Sequence, residues 1–370
     1  MARTIKHFSL HRIARTELRV VADVEAGALP LIEVEEAVIR GYAQGGLWPH
    51  RWVTLFILRD LQPLIRQLRP VADPSSLSSS GRSLPTGAAA ALDDRPVVNV
   101  YDLADPAGCH VFVNRQAMEK EGYWDDPLAI RALLAHEHAH PLAENETINS
   151  SRCLQLDLSL EDPQQDAYDP STVVLKEPLD GLRWPGDRHE KVHRLLTLLA
   201  DKLCLYAPRE VFANEMTIRC GFGKALLHLD RHNVASASRS VAGREELSQQ
   251  LAGEVTQGNL TSTAADVLLL IGDLKGYLDL ALEVVSFYRT GWESEARELE
   301  SALETAVFPY LEPQVIRAYA ALRELYSALR ANLRPSDFRA WGEGVLSVLT
   351  EVLAEKGLRM HFRLRMANAG

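Results

Sequence analysis

The sequence predicts an α+β fold that is mostly α: a small sheet packed on one buried helix, followed by a C-terminal helical bundle. Three observations predict it. Two β-branched and aromatic segments, VVNVYDL at 97–103 and CHVFVN at 109–114, are each bounded by Asp, Pro or Gly. From residue 126 the period turns helical and unusually apolar, in DPLAIRALLAHEHAH. After residue 262, apolar residues recur at helical spacing through most of the remaining chain. With 370 residues, 46% hydrophobic and 24% charged, the chain can bury two or three cores, and wholesale disorder is excluded.

In chain order, residues 1–70 read as an N-terminal helical segment, most clearly in RWVTLFILRDLQPLIRQL, where Pro63 would kink or split the helix. Residues 71–96 are rich in Ser, Pro, Gly and Ala, have no apolar period, and read as a flexible linker. Residues 97–235 form the central core, and 240–370 a helical C-terminal domain. The two strands at the start of the core are expected to be neighbours joined by the turn ADPAG. Asp126 serves as N-cap of the apolar helix and Pro127 as its first residue. Pro141 removes a backbone donor and disfavours the α conformation at His140, so the helix is expected to end there. The stretch 145–186 is polar and proline-rich, with one alternating segment, LQLDLSL at 154–160, that suits an edge strand. Helices are expected at 187–205 and 208–229, with Ala207-Pro208 as the break, then a polar stretch at 233–259. Four more follow at 262–286, 294–308, 312–331 and 335–355.

The formal net charge of −10 is uneven: residues 241–310 hold 12 acidic and 4 basic residues. An acidic balance argues against a nucleic-acid binder working by phosphate neutralisation. No apolar stretch reaches the roughly 18 residues a membrane span needs, and the N-terminus lacks the apolar run of a signal peptide. Cys109, Cys153, Cys204 and Cys220 are widely spaced without a CxxC, which fits reduced thiols and a cytoplasmic protein.

The chemistry lies in His136-Glu137-His138-Ala139-His140, an HExxH match. On a helix, positions i and i+4 share a face, so His136 and His140 can offer two imidazoles to one metal ion. Glu137 sits beside them, placed to act on a metal-bound water rather than on the metal. Zinc suits such a set, because it lowers the pKa of a bound water toward 7. His138 points off the ligand face. A second match, His189-Glu190-Lys191-Val192-His193, carries a lysine inside the motif and charged flanks, and reads as an amphipathic helix. A third ligand must come from elsewhere. In PREVFANEM, Glu210 precedes Ala213 and Asn214; the small residue permits close packing, and Asn214 can hydrogen-bond a ligand. Glu215 is the rival third ligand.

These segments together, a strand, a short helix, the HExxH helix and a later ExxA[DN], resemble the gluzincin metallopeptidases, in the group that includes the heat-shock membrane protease HtpX and the CAAX prenyl proteases. The match spans about residues 97–229, with His140 and Glu210 lying 70 positions apart. The resemblance implies a zincin-like sheet on the active helix and Zn²⁺ bound by His136, His140 and Glu210. It further implies Glu137 as general base and a peptide or protein substrate. The membrane spans of those relatives and their Asn-Ala-Phe segment are absent here. Anti-repressor peptidases of the ImmA/IrrE type pair the same motifs at a shorter separation. The alternative is a catalytically inactive zincin-fold scaffold or regulatory protein, against which an intact Glu137 counts. Oxyanion donors are sought among Tyr206, His228, Arg231 and His232, neighbouring groups among Glu144 and Glu146, and packing aromatics in Tyr123 and Trp124. The acidic helical domain is expected to select substrate or dock a protein partner.

Overall fold

A computed structural model describes residues 6–23, 28–61, 95–102, 105–152, 154–160, 188–258, 262–331, 333–357 and 360–366. The linker expected at 71–96 lies outside them, apart from its last two residues. The fold is α+β and mostly α. By internal contacts the chain forms two units: residues 1–142 with 216–229, and residues 143–215 with 230–370. The chain therefore crosses between units three times.

The first unit is built on five strands: β1 (His7–Ile13), β2 (Thr16–Ala22), β3 (Trp52–Leu58), β4 (Val97–Asp102) and β5 (Asp105–Asn114). Their order is β1-β2-β3-β5-β4. The outer pairs β1/β2 and β4/β5 are antiparallel, while β2/β3 and β3/β5 are parallel. This overturns the all-helical reading of residues 1–70. WVTLFIL is the middle strand, and its nearly continuous apolar run is what a strand covered on both faces requires. Such a run fits a helical period as well as a strand period, so the pattern alone misleads.

Side chains alternate across the sheet, and register brings Val20, Leu55, Val111 and Asn99 into one row on one face. Three of the four are aliphatic and buried; the fourth, at the β4 edge, is a buried asparagine. Gly108 lies opposite Trp52, where a Cβ would come within 1.9 Å of the indole, so only glycine lets the ring lie over β5. Helix α1 (Ala28–Gln44) packs over β1 and β2 and buries a stripe of Leu31, Glu35, Val38 and Tyr42. Helix α2 (Arg115–Lys120) follows β5, capped by the Asn114 side chain, which accepts from Ala117 N–H.

Helix α3 (Pro127–Arg152) carries the HExxH motif. Its N-cap is Asp126, whose Oδ1 accepts from the N–H groups of Leu128 and Ala129 at 3.0 Å each. The expected stop at Pro141 does not occur: the helix runs eleven residues beyond it. The donor that proline lacks is replaced from outside the helix.

The second unit is helical. It holds α4 (Arg188–Asp201), most of α5 (Ala207–Thr217) and α6 (Gly223–Thr256), and α7 (Ser262–Arg289), α8 (Glu293–Ala306), α9 (Pro313–Ala328) and α10 (Pro335–Glu355). The last four match the spans expected from periodicity to within a few residues. Between α4 and α5 the break is a π-helical turn at Lys202–Tyr206, ahead of Ala207-Pro208. Gly221, at φ 91°, separates α5 from α6, a conformation that side chains strongly disfavour. The polar stretch at 233–259 is helical up to Thr256. Its Ala, Glu, Gln and Arg residues are good helix formers, so polarity there marks a solvated face rather than a loop. Strand β6 (Leu154–Leu160) stands where expected and pairs antiparallel with β7 (Met360–Met366), a strand beyond the last expected helix. Among the described residues, no helix is long and apolar enough to cross a membrane.

Candidate metal centre

On α3, His136, Glu137 and His140 form a group able to hold a metal ion: their ligand atoms all lie within 4.8 Å of one another. It is the one such group among the described residues. The two imidazoles stand edge to face, with centroids 4.7 Å apart and planes at 85°. Glu137 and His140 are buried, and His136 is half-buried. The two imidazoles can ligate one metal ion from a single turn of helix, with the Glu137 carboxylate beside them.

Strand β4 holds this turn from one side. The Asn99 N–H donates to Glu137 Oε2 at 3.0 Å, and Asn99 Nδ2 donates to the Glu137 carbonyl at 3.1 Å. In an unbroken helix that carbonyl would accept from the N–H of residue 141, which is proline. Asn99 was missed in the sequence. Its signal was a lone amide in the middle of the apolar strand VVNVYD.

Helix α1 holds the same turn from another side. His138, expected to lie off the ligand face, is fully buried, with Nε2 at 2.7 Å from Glu35 Oε1. Burial alone would lower its pKa, but the Glu35 carboxylate beside it raises it to about 10. Tyr42 Oη donates to the Ala135 carbonyl at 2.7 Å. Burial raises the Tyr42 pKa and keeps that donor protonated. The Trp48 ring meets His138 nearly edge to face at 4.9 Å, and its Nε1 donates to Thr16 Oγ1 at 2.7 Å. Glu35 was legible only as an acid on an otherwise apolar helical stripe.

Glu210, the expected third ligand, belongs to the second unit; it is half-buried, and its charge, after burial and the charge of Asp230, raises the pKa of Glu283. Asn214 is buried on the same helix. Glu215, the rival ligand, accepts a hydrogen bond from Arg289 Nε, whose Nη1 also donates to the carbonyls of Tyr326, Ser327 and Leu329 at the end of α9. That makes Glu215 part of a helix tie. His228 binds Asp126 Oδ2 at 2.6 Å, at the N-terminus of α3, which gives it a structural role. Arg231 makes a bidentate pair with Glu298, Tyr206 is exposed, and His232 is half-buried. Trp124 and Tyr123 are buried, and the Arg115 guanidinium lies 4.9 Å over the Trp124 ring. The side chains of Glu144, Glu146, His189 and His193 lie outside the described residues. Cys109, Cys204 and Cys220 are free thiols.

The chain matches no family model, no curated protein and no solved structure.

Proposed function

We propose that the chain is a zinc-dependent peptide hydrolase with Glu137 as its general base. One observation carries the reading: a backbone N–H of β4 fixes one carboxylate oxygen of Glu137 within the same small cluster as the two imidazoles. Zinc, when bound, supplies a water of lowered pKa and polarises the carbonyl under attack. His136 and His140 are the ligands that α3 itself supplies. The sequence supplies Glu210 as third ligand, through its spacing from the motif. Glu137 takes a proton from the attacking water at its carboxylate and passes it to the leaving nitrogen. A peptide substrate is supported by β4, the terminal strand of its sheet, since an edge strand offers main-chain groups with which an extended peptide can pair.

The test is metal content together with one substitution. The purified chain should hold one zinc, and Glu137→Gln should keep it while lowering kcat by about 10²–10⁴. Glu210→Ala should lose zinc and Glu215→Ala should not. Stoichiometric zinc without hydrolysis of any peptide would select the inactive scaffold, and absence of zinc affinity would remove the metal centre altogether.

A further inference from the structure

We propose that Asn99 is the positioning residue for Glu137, and that it acts by supplying the hydrogen-bond donor that Pro141 withholds. The inference rests on the reading of Glu137 as general base. Pro141 has no N–H, so the Glu137 carbonyl lacks its helical donor at the turn that carries the motif. A carbonyl left without a partner in a buried setting is costly, and α3 would be expected to break or bend there. Instead α3 continues, and the Asn99 amide reaches that carbonyl at 3.1 Å. The Asn99 backbone N–H reaches the Glu137 carboxylate at 3.0 Å. One buried residue thus holds Glu137 at both its main chain and its side chain.

The residue type follows from the geometry. Asn99 shares its sheet face with Val111, its partner on β5, and an aliphatic side chain there would pack but donate nothing. Aspartate has the same shape but offers an acceptor to an acceptor. Pro141 has its own consequence: it frees the Glu137 carbonyl to be held by the sheet, so the carboxylate is located relative to β4 and not only relative to its own helix.

The test is a double-mutant cycle in the full chain, with Asn99→Ala made in the native background and in Pro141→Ala, where residue 141 regains its N–H. With Pro141 present, Asn99→Ala should lower kcat about tenfold, the low end for loss of a supporting hydrogen bond, with KM and bound zinc per chain unchanged. In the Pro141→Ala background the same change should lower kcat by about threefold or less. Asn99→Asp should be worse than Asn99→Ala. Equal losses in both backgrounds, or a raised KM at unchanged kcat, would overturn the inference. Urea midpoints form an arm independent of catalysis. Asn99→Ala should lower the midpoint more in the native background than in Pro141→Ala, and an Asn99→Ala chain that folds only when Pro141→Ala is also present is the extreme form of that result. Additive midpoints overturn the inference even if peptides are cleaved. Coupled midpoints in a chain that cleaves no peptide leave the clamp standing and remove the general-base reading.

Discussion

The two units use buried polar groups in different ways. In the first, they converge on one helical turn: Glu35 on His138, Tyr42 on the Ala135 carbonyl and Asn99 on Glu137, so that two elements of the sheet unit hold three residues of one turn of α3. In the second, they are dispersed and tie helix to helix. Arg244 makes a bidentate pair with Asp273, joining α6 and α7. Glu300 of α8 receives Tyr288 of α7 and Tyr319 and Arg323 of α9. Arg289 joins Glu215 to the end of α9. Burial of polar groups is costly everywhere. Where they converge, they hold a geometry; where they are dispersed, they select one packing of the bundle.

The largest expected effect is at Glu35. Glu35→Ala leaves the fully buried His138 without its partner, which should cost about 3–5 kcal/mol of stability. Because the pair holds the motif turn, zinc affinity should also fall, by about tenfold or more. Urea unfolding and competitive zinc titration measure the two effects.

Next is a pH effect at His50. Burial, countered by a hydrogen bond to the Pro106 carbonyl and reinforced by the charge of His138, lowers its pKa to about 4. The unfolded chain takes up a proton near pH 6.5, before the folded one does. Stability is therefore full above that pH and is lost as pH falls toward 4, by up to about 3 kcal/mol. The native chain and His50→Gln, unfolded at pH values of about 7 and 4.5, should differ in slope; equal slopes would show that His50 titrates normally.

Glu300→Ala removes the shared acceptor of two tyrosines and an arginine and should cost about 1–3 kcal/mol. Its zinc affinity should match that of the native chain. Equal zinc loss on Glu35→Ala and Glu300→Ala would erase the contrast between the units. The smallest effect is at Arg231–Glu298, an exposed bidentate pair, where Arg231→Ala should cost about 0–1 kcal/mol and less at high salt.

The legible and illegible parts of the fold divide by the range of the forces involved. Helices α7 to α10 and strands β4 and β6 announced themselves through local period, and β5 did so only in CHVFVN: the DPAG expected to form a turn is the first part of that strand. Strand β3 did not, because a run buried on both faces carries no alternation. The helix at 233–256 did not, because its polar residues are silent about which face is wet. The stop expected at Pro141 is wrong, because backbone chemistry alone does not show that a donor 38 residues before Glu137 reaches the carbonyl that the proline frees.

The sequence by itself determined that His136, Glu137 and His140 gather on one turn, because a 3.6-residue period is a property of the backbone and needs no neighbours. It also determined, through Pro141, that one carbonyl of that turn would need an outside partner. Only the tertiary structure decided who that partner is. Asn99 meets Glu137 because β4 forms the edge of the sheet beside α3, and Glu35 meets His138 across 103 residues because α1 lies close enough to α3 to pair with it. Such contacts depend on how elements pack, and no local pattern encodes the packing.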